Sequence, residues 1–167
     1  MDEVELRLCL RANRACYRRS VERFFTHVSR LGDGPLWYAL IVALPVVYGS
    51  AALRASVHMA LIAILGIVIY RHIKSRLVRY RPYTAHTGVR LGTAPLDQYS
   101  FPSGHTLHAV SFTLVTISYF PALGWILIPF AMLVACSRVL LGLHYPSDVA
   151  VGAVIGALLA LASLPFA

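Results

Sequence analysis

Three cations, Lys74, Arg81 and Arg138, stand at or near the ends of apolar stretches. A charge at membrane depth is expensive and marks function by default. Any one of them could snorkel to an interface, but snorkelling does not account for three cations accompanied by two histidines and an aspartate. Arginine forks match planar arrays of phosphate oxygens and lysine adds a point charge, so the implied ligand is a phosphate. Ser103, Gly104 and His105 open an apolar segment after Phe101-Pro102. A helix starting there would offer unpaired backbone N–H groups and a favourable dipole to an anion, with Gly104 permitting close approach. His144 and Asp148 lie four residues apart around a proline-containing helix start. The carboxylate can then fix one imidazole nitrogen and leave the other free to attack. His105, carried by a different segment, is free to protonate a leaving oxygen.

In sequence order these residues form three motifs: Lys74, six residues, Arg81-Pro82; Pro102-Ser103-Gly104-His105; and Ser137-Arg138, five residues, His144, three residues, Asp148. The set resembles the signature of the type 2 phosphatidic acid phosphatase superfamily, which also includes glucose-6-phosphatases and soluble vanadium haloperoxidases. No motif position departs from the pattern, and the matched region covers residues 74–148. The resemblance implies a phosphatase that needs neither metal nor other cofactor. In its terms His144 is the nucleophile that becomes phosphohistidine, Asp148 orients it and His105 protonates the leaving group. Lys74, Arg81, Ser103, Gly104 and Arg138 hold the phosphoryl group. Bacterial members of this kind are expected to have six spans, whereas here an amphipathic N-terminal helix stands in place of the first.

These residues need a membrane scaffold to position them. The chain is 58% hydrophobic and only 13% charged, outside the range of soluble domains. It reads as an all-α integral membrane bundle of about five transmembrane helices, one domain over residues 1–167, with residues 36–167 as the bundle. A soluble haloperoxidase is opposed by these spans. The net charge of +8 raises nucleic acid as a partner, but most basic residues adjoin apolar segments, which favours lipid headgroups or a phosphorylated lipid. Cys9, Cys16 and Cys136 have neither metal-ligand nor disulfide spacing, and no apolar segment suited to a cleavable signal follows the first charges.

Residues 3–28 read as an amphipathic helix, the core of an interfacial segment over residues 1–30. Arg7, Arg11, Arg14 and Arg18 share one face and Leu10, Tyr17, Val21, Phe24 and Val28 gather on the other. Packing on the bundle's own loops is the alternative use of the same periodicity. After the turn Leu31-Gly32-Asp33-Gly34-Pro35, spans are expected over residues 36–53, 57–70, 101–120, 125–143 and 149–164. The second must continue as a polar, buried helix through Arg71 and Lys74 to cross. Gly152 and Gly156 form a small-residue step suited to close packing within the bundle, or to the seam of a homo-oligomer. Tyr80, Tyr83 and Tyr99 could touch a headgroup or anchor at the interface.

Five spans bring all three motifs to one face. Only Arg54 falls on the other, so the positive-inside rule places the motifs in the cytoplasm, on the inner membrane of a bacterium. The expectation is a membrane lipid phosphatase acting on phosphatidic acid, phosphatidylglycerophosphate or a polyprenyl phosphate or diphosphate. The alternatives are an outward-facing undecaprenyl-diphosphate phosphatase and a non-catalytic protein that binds lipid phosphates.

Overall fold

The structure, a computed structural model, describes residues 3–166. It is helical, with α1 (Glu3–Arg14), α2 (Arg19–Gly32), α3 (Pro35–Tyr48), α4 (Leu53–Arg76), the short α5 (Pro82–Ala85), α6 (Gly104–Tyr119), α7 (Gly124–Leu140) and α8 (Pro146–Ser163). Helix α6 is the centre, packed by α8, α4 and α7. The apolar core runs between them through Leu44, Met59, Ile62, Phe112, Val115 and Val134.

Three stretches are long and apolar enough to cross a bilayer: Ser50–Arg76, Pro121–Leu140 and Pro146–Phe166. Arg19–Gly32 and Pro35–Tyr48 together pass the same test, bent by 50°. Helix α6 has 16 residues, a length of about 24 Å, and spans only as an inner helix flanked by the others. The three long stretches and α3 turn large apolar side chains outward, as at Val46, Leu61, Ile64 and Leu158. The chain is a multi-pass membrane protein. Hydroxyls inside the bundle find backbone acceptors, as lipid surroundings demand: Ser56 Oγ donates to the Ile41 carbonyl at 2.7 Å and Ser118 Oγ to that of Val115 at 2.7 Å.

The expected continuation of the second span is present, since α4 runs unbroken through Arg71 and Lys74 to Arg76; Lys74 is buried as expected, whereas Arg71 is exposed. The glycine step is used inside the bundle. A Cβ on Gly152 would lie 2.5 Å from the Ser103 carbonyl oxygen, and one on Gly156 would strike that of Leu107. Helix α8 therefore rests directly on the backbone of α6.

The N-terminal segment differs in detail from the expected single interfacial helix. Two helices, α1 and α2, are separated by a 3-10 turn at Ala15–Tyr17, and both pack on the bundle. The arginines are exposed as expected, but the covered stripe is Cys9, Asn13 and Cys16, continued by Val28, Ser29 and Gly32, while Tyr17 and Phe24 are half exposed. The reason is contact distance. Gly32 lies so close to α7 that a Cβ there would be 2.7 Å from a Val134 methyl, and large side chains would hold the helices apart. Asn13 closes the contact by donating to the carbonyls of Arg90 and Leu140 at 2.8 and 2.9 Å and accepting from the Arg90 N–H.

Candidate active site

A cavity of about 510 Å³ lies where the three motifs meet. Lys74 reaches it from the last turn of α4, Arg81 from the loop before α5, Gly104 and His105 from the first turn of α6, and His144 from the turn between α7 and α8. Ser103, Arg138 and Asp148 stand behind that wall, each 2% exposed or less. The lining also includes Trp37 and Tyr38 of α3, Ile67 and Tyr70 of α4 and Phe112 of α6, with Arg71, Ser75 and His108 beside them.

His144 is held with one nitrogen forward. Arg81 Nη1 lies 3.2 Å from His144 Nε2, and because a guanidinium only donates, Nε2 is the accepting, unprotonated nitrogen. The ring hydrogen is then on Nδ1, facing Asp148 Oδ2 at 3.6 Å, a charge contact longer than a hydrogen bond. Burial, then the neighbouring Arg138, Arg81, Lys74 and His105, holds the His144 pKa well below the ordinary histidine value. Both effects favour the neutral ring.

Asp148 is fully buried and does more than face His144. Its Oδ2 accepts the Tyr145 N–H at 2.8 Å, which caps α8, and its Oδ1 accepts from Arg79 Nη1 at 2.6 Å. Arg79 also binds Glu5 of α1 at 2.7 Å and lies 4.2 Å from the centre of the Tyr145 ring. Glu5 in turn accepts from the Ser147 N–H at 2.9 Å and from the Ser147 hydroxyl. Burial tends to raise the Glu5 pKa, but the Ser147 hydrogen bonds and Arg79 outweigh it and set it below the usual carboxylate value.

The cations of the cradle are engaged by a carboxylate from the loop between α5 and α6. Asp97 Oδ2 accepts from Lys74 Nζ at 2.8 Å, its Oδ1 from Arg81 Nη2 at 2.6 Å, and its carbonyl from Arg81 Nε at 2.9 Å. Arg138 donates through Nη1 to Ser29 of α2 and keeps a buried Nε without a protein acceptor. Ser103 Oγ is paired with Thr106 Oγ1 at 3.0 Å, and the Ser103 N–H donates to the Asp148 carbonyl at 3.1 Å. His105 Nε2 lies 3.1 Å from Oδ1 of Asp33, in the turn between α2 and α3.

All eight residues singled out in the sequence thus converge on one locus. Reading the motifs alone misses Glu5, Asp33, Arg79 and Asp97. Arg79 lies within the six-residue gap of the first motif, but the others are single carboxylates with no local pattern. Of the three loop tyrosines, only Tyr99 lines the cavity; Tyr80 is exposed and Tyr83 packs beside Leu141 and Leu143.

Comparison with known proteins identifies the family and the fold. The family model described as the PAP2 superfamily matches residues 52–167. In sequence the chain is similar to "Undecaprenyl-diphosphatase BcrC" of Bacillus subtilis, with 34% identity over 67% of this chain and 58% of that protein. It is also similar to the "Decaprenylphosphoryl-5-phosphoribose phosphatase" of Mycobacterium tuberculosis, with 42% identity over 49% of this chain and 45% of that one. The chain spans about half the length of these relatives. The crystal structure of Aquifex aeolicus LpxE superposes with a TM-score of 0.83 at 30% identity, covering 96% of this chain and 94% of that chain. A transmembrane PAP2-type phosphatidylglycerolphosphate phosphatase from Bacillus subtilis superposes with a TM-score of 0.80 at 22% identity, covering 98% of this chain and 84% of that one, a likeness of fold alone.

Proposed function

The chain belongs to the PAP2 superfamily, and from that premise we propose that it is a membrane lipid phosphatase working through a phosphohistidine on His144. The observation that carries this reading is the orientation of His144: Nε2 accepts from Arg81 at 3.2 Å while Nδ1 faces the buried Asp148. A phosphate seated by Lys74 and Arg81 would present its phosphorus to that nitrogen. Nε2 attacks, the bond to the leaving oxygen breaks, and His105 at the start of α6 supplies the proton. The same ring then takes a proton from the water that attacks phosphohistidine and releases phosphate. Charge on the equatorial oxygens is met by Lys74, Arg81, the unpartnered Arg138 Nε and the N–H groups that open α6 at Gly104.

The tail of the substrate lies along the wall formed by Trp37, Tyr38, Ile67 and Phe112, which suits a lipid that stays in the bilayer. Phosphatidic acid, phosphatidylglycerophosphate and polyprenyl phosphates or diphosphates all meet these requirements, and the names of the sequence relatives favour the polyprenyl class. The site faces the cytoplasm of the inner membrane. Arg54 stands at the end of α4 opposite Lys74, whereas Arg7, Arg11, Arg14, Arg18, Arg19, Arg23 and Arg30 are exposed on the motif side, as the positive-inside rule requires. Cys9 and Cys16 are buried, so the orientation is read from a label at Arg11→Cys in a chain without native cysteines. Labelling of intact cells by an impermeant reagent would overturn the cytoplasmic assignment.

The activity is tested by phosphate release from each of these lipids by purified protein in chelator. His144→Ala should reduce release by about 10³-fold or more. Undiminished release by that variant, or none from any lipid phosphate by the native protein, refutes the reading.

A further inference from the structure

Asp33 belongs to the part of the chain that precedes the family match at residue 52, yet it touches the imidazole of the second motif. Its Oδ1 is 3.1 Å from His105 Nε2, and both residues line the cavity. The turn that carries it is pinned on three sides. Trp37 Nε1 donates to the Gly32 carbonyl at 3.1 Å, Gly32 packs on Val134, and Arg138 donates to Ser29 one turn earlier in α2. Gly34 has φ +143°, and a Cβ there would sit 2.7 Å from the Tyr38 ring, so the turn demands glycine at that position. The carboxylate is held in place by this turn.

The chemistry asks for such a group. A leaving-group acid must carry a proton on His105, but the cations Lys74 and Arg81 line the same cavity. Cations that stabilise the phosphate also oppose an imidazolium beside it. Asp33 is the carboxylate facing His105 among the described residues, and its charge at 3.1 Å works against that repulsion.

We propose that Asp33 is a positioning residue for the leaving-group proton, resting on the assignment of His105 as the acid. It binds the Nε2–H of the imidazolium and so presents Nδ1–H to the departing oxygen. As His144 Nε2 forms its bond to phosphorus and the bond to the leaving oxygen breaks, the Nδ1 proton passes to that oxygen. The neutral ring keeps its Nε2–H on Asp33, which takes up no proton in the step. Nδ1 then accepts a proton from the water that displaces phosphate from His144, restoring the imidazolium. Help of this kind matters where the leaving group is an alkoxide, as in phosphatidic acid. It matters far less where the leaving group is itself a phosphate, whose second pKa is about 6, as in a prenyl diphosphate.

The test compares Asp33→Asn with native protein on phosphatidic acid and on farnesyl diphosphate, in detergent. The expected kcat loss on phosphatidic acid is about 10- to 100-fold, at or below the lower end of what general acid catalysis contributes because His105 itself remains, and at least about tenfold greater than the loss on farnesyl diphosphate. His105→Ala should show the same selectivity, and the double variant should lose little more than His105→Ala alone, as expected of groups acting as one unit. If Asp33→Asn does not fold, Asp33→Glu, which keeps the charge one methylene away, must show the same selectivity in smaller measure. Equal losses on the two lipids, additive losses in the double variant, or a gain in kcat overturn the role of Asp33. Full activity of His144→Ala would instead overturn the phosphatase reading itself.

Discussion

Replacing Asp97 by Asn removes the carboxylate that holds Lys74 and Arg81, and it should tighten the binding of inorganic phosphate. A phosphate reaching those cations must first displace contacts of 2.8 and 2.6 Å. The Lys74 and Arg81 side chains are 10% and 2% exposed, but that of Asp97 is 37% exposed. Solvent screening therefore brings each contact to about 0.5–1 kcal/mol. Together they oppose the anion by about 1–2 kcal/mol, a factor of about 5–30 in affinity at 1.4 kcal/mol per tenfold. The assay is the competitive inhibition constant of phosphate, with vanadate as a second probe. The native-to-variant ratio should hold between about pH 6 and 8. Burial tends to raise the Asp97 pKa, but Lys74 and Arg81 outweigh it and lower it. Because the folded value lies below the unfolded one, the carboxylate stays ionised across that window and is lost only as pH falls through the folded value. Unchanged or weaker phosphate inhibition in Asp97→Asn would refute the argument and make Asp97 a support for the cations instead of a competitor.

Two further outcomes follow from the packing. Gly152→Ala forces a methyl against the Ser103 carbonyl oxygen, at 2.5 Å in the native geometry. It should lower stability by about 1–3 kcal/mol and reduce kcat in the folded fraction, because Ser103 leads into the turn proposed to hold the phosphate; a thermal melt in detergent read beside kcat checks both. Arg79→Ala leaves the fully buried Asp148 without its 2.6 Å cation and should cost about 3 kcal/mol or more. Arg79→Lys should recover only part of that loss in the same melt, because lysine cannot fork between Glu5, Ser147 and Asp148.

The cradle and its two histidines were legible because their chemistry is written in short spacings at segment ends. The four-residue step from His144 to Asp148 survives as a 3.6 Å contact across a helix cap. The length of α4 was legible because residues 57–70 are too few to cross unless the helix continues through Arg71 and Lys74; of these Lys74 is buried and Arg71 exposed. The carboxylates were not legible. Asp33 and Asp97 act across the fold on His105, Lys74 and Arg81, and nothing local marks a lone acidic residue in a loop. The docking face of α1 and α2 was obscured for another reason. Periodicity weighs large apolar residues, and so pointed to Tyr17 and Phe24, whereas close packing on the site selected Cys9, Asn13, Cys16 and Gly32. Cys9, Asn13 and Cys16 are spaced four and three apart, a helical stripe of compact residues that could have been read as the contact.

Gly152 and Gly156 seat α8 on the backbone of α6, so the anchoring half of the cavity meets its support without side chains that could be exchanged. The other half consists of side chains on α3 and α4, among them Trp37, Tyr38, Ile67 and Tyr70; Trp37 also pins the Asp33 turn, which leaves Tyr38, Ile67 and Tyr70 as the exchangeable part. Drift in a scaffold of this kind should accumulate on the aromatic wall and alter which tail is admitted, while the phosphate seat stays as it is. For inhibitors the same division sets selectivity. A phosphate mimic would act on every enzyme that shares the seat, and discrimination between such enzymes must come from whatever the molecule places against α3 and α4.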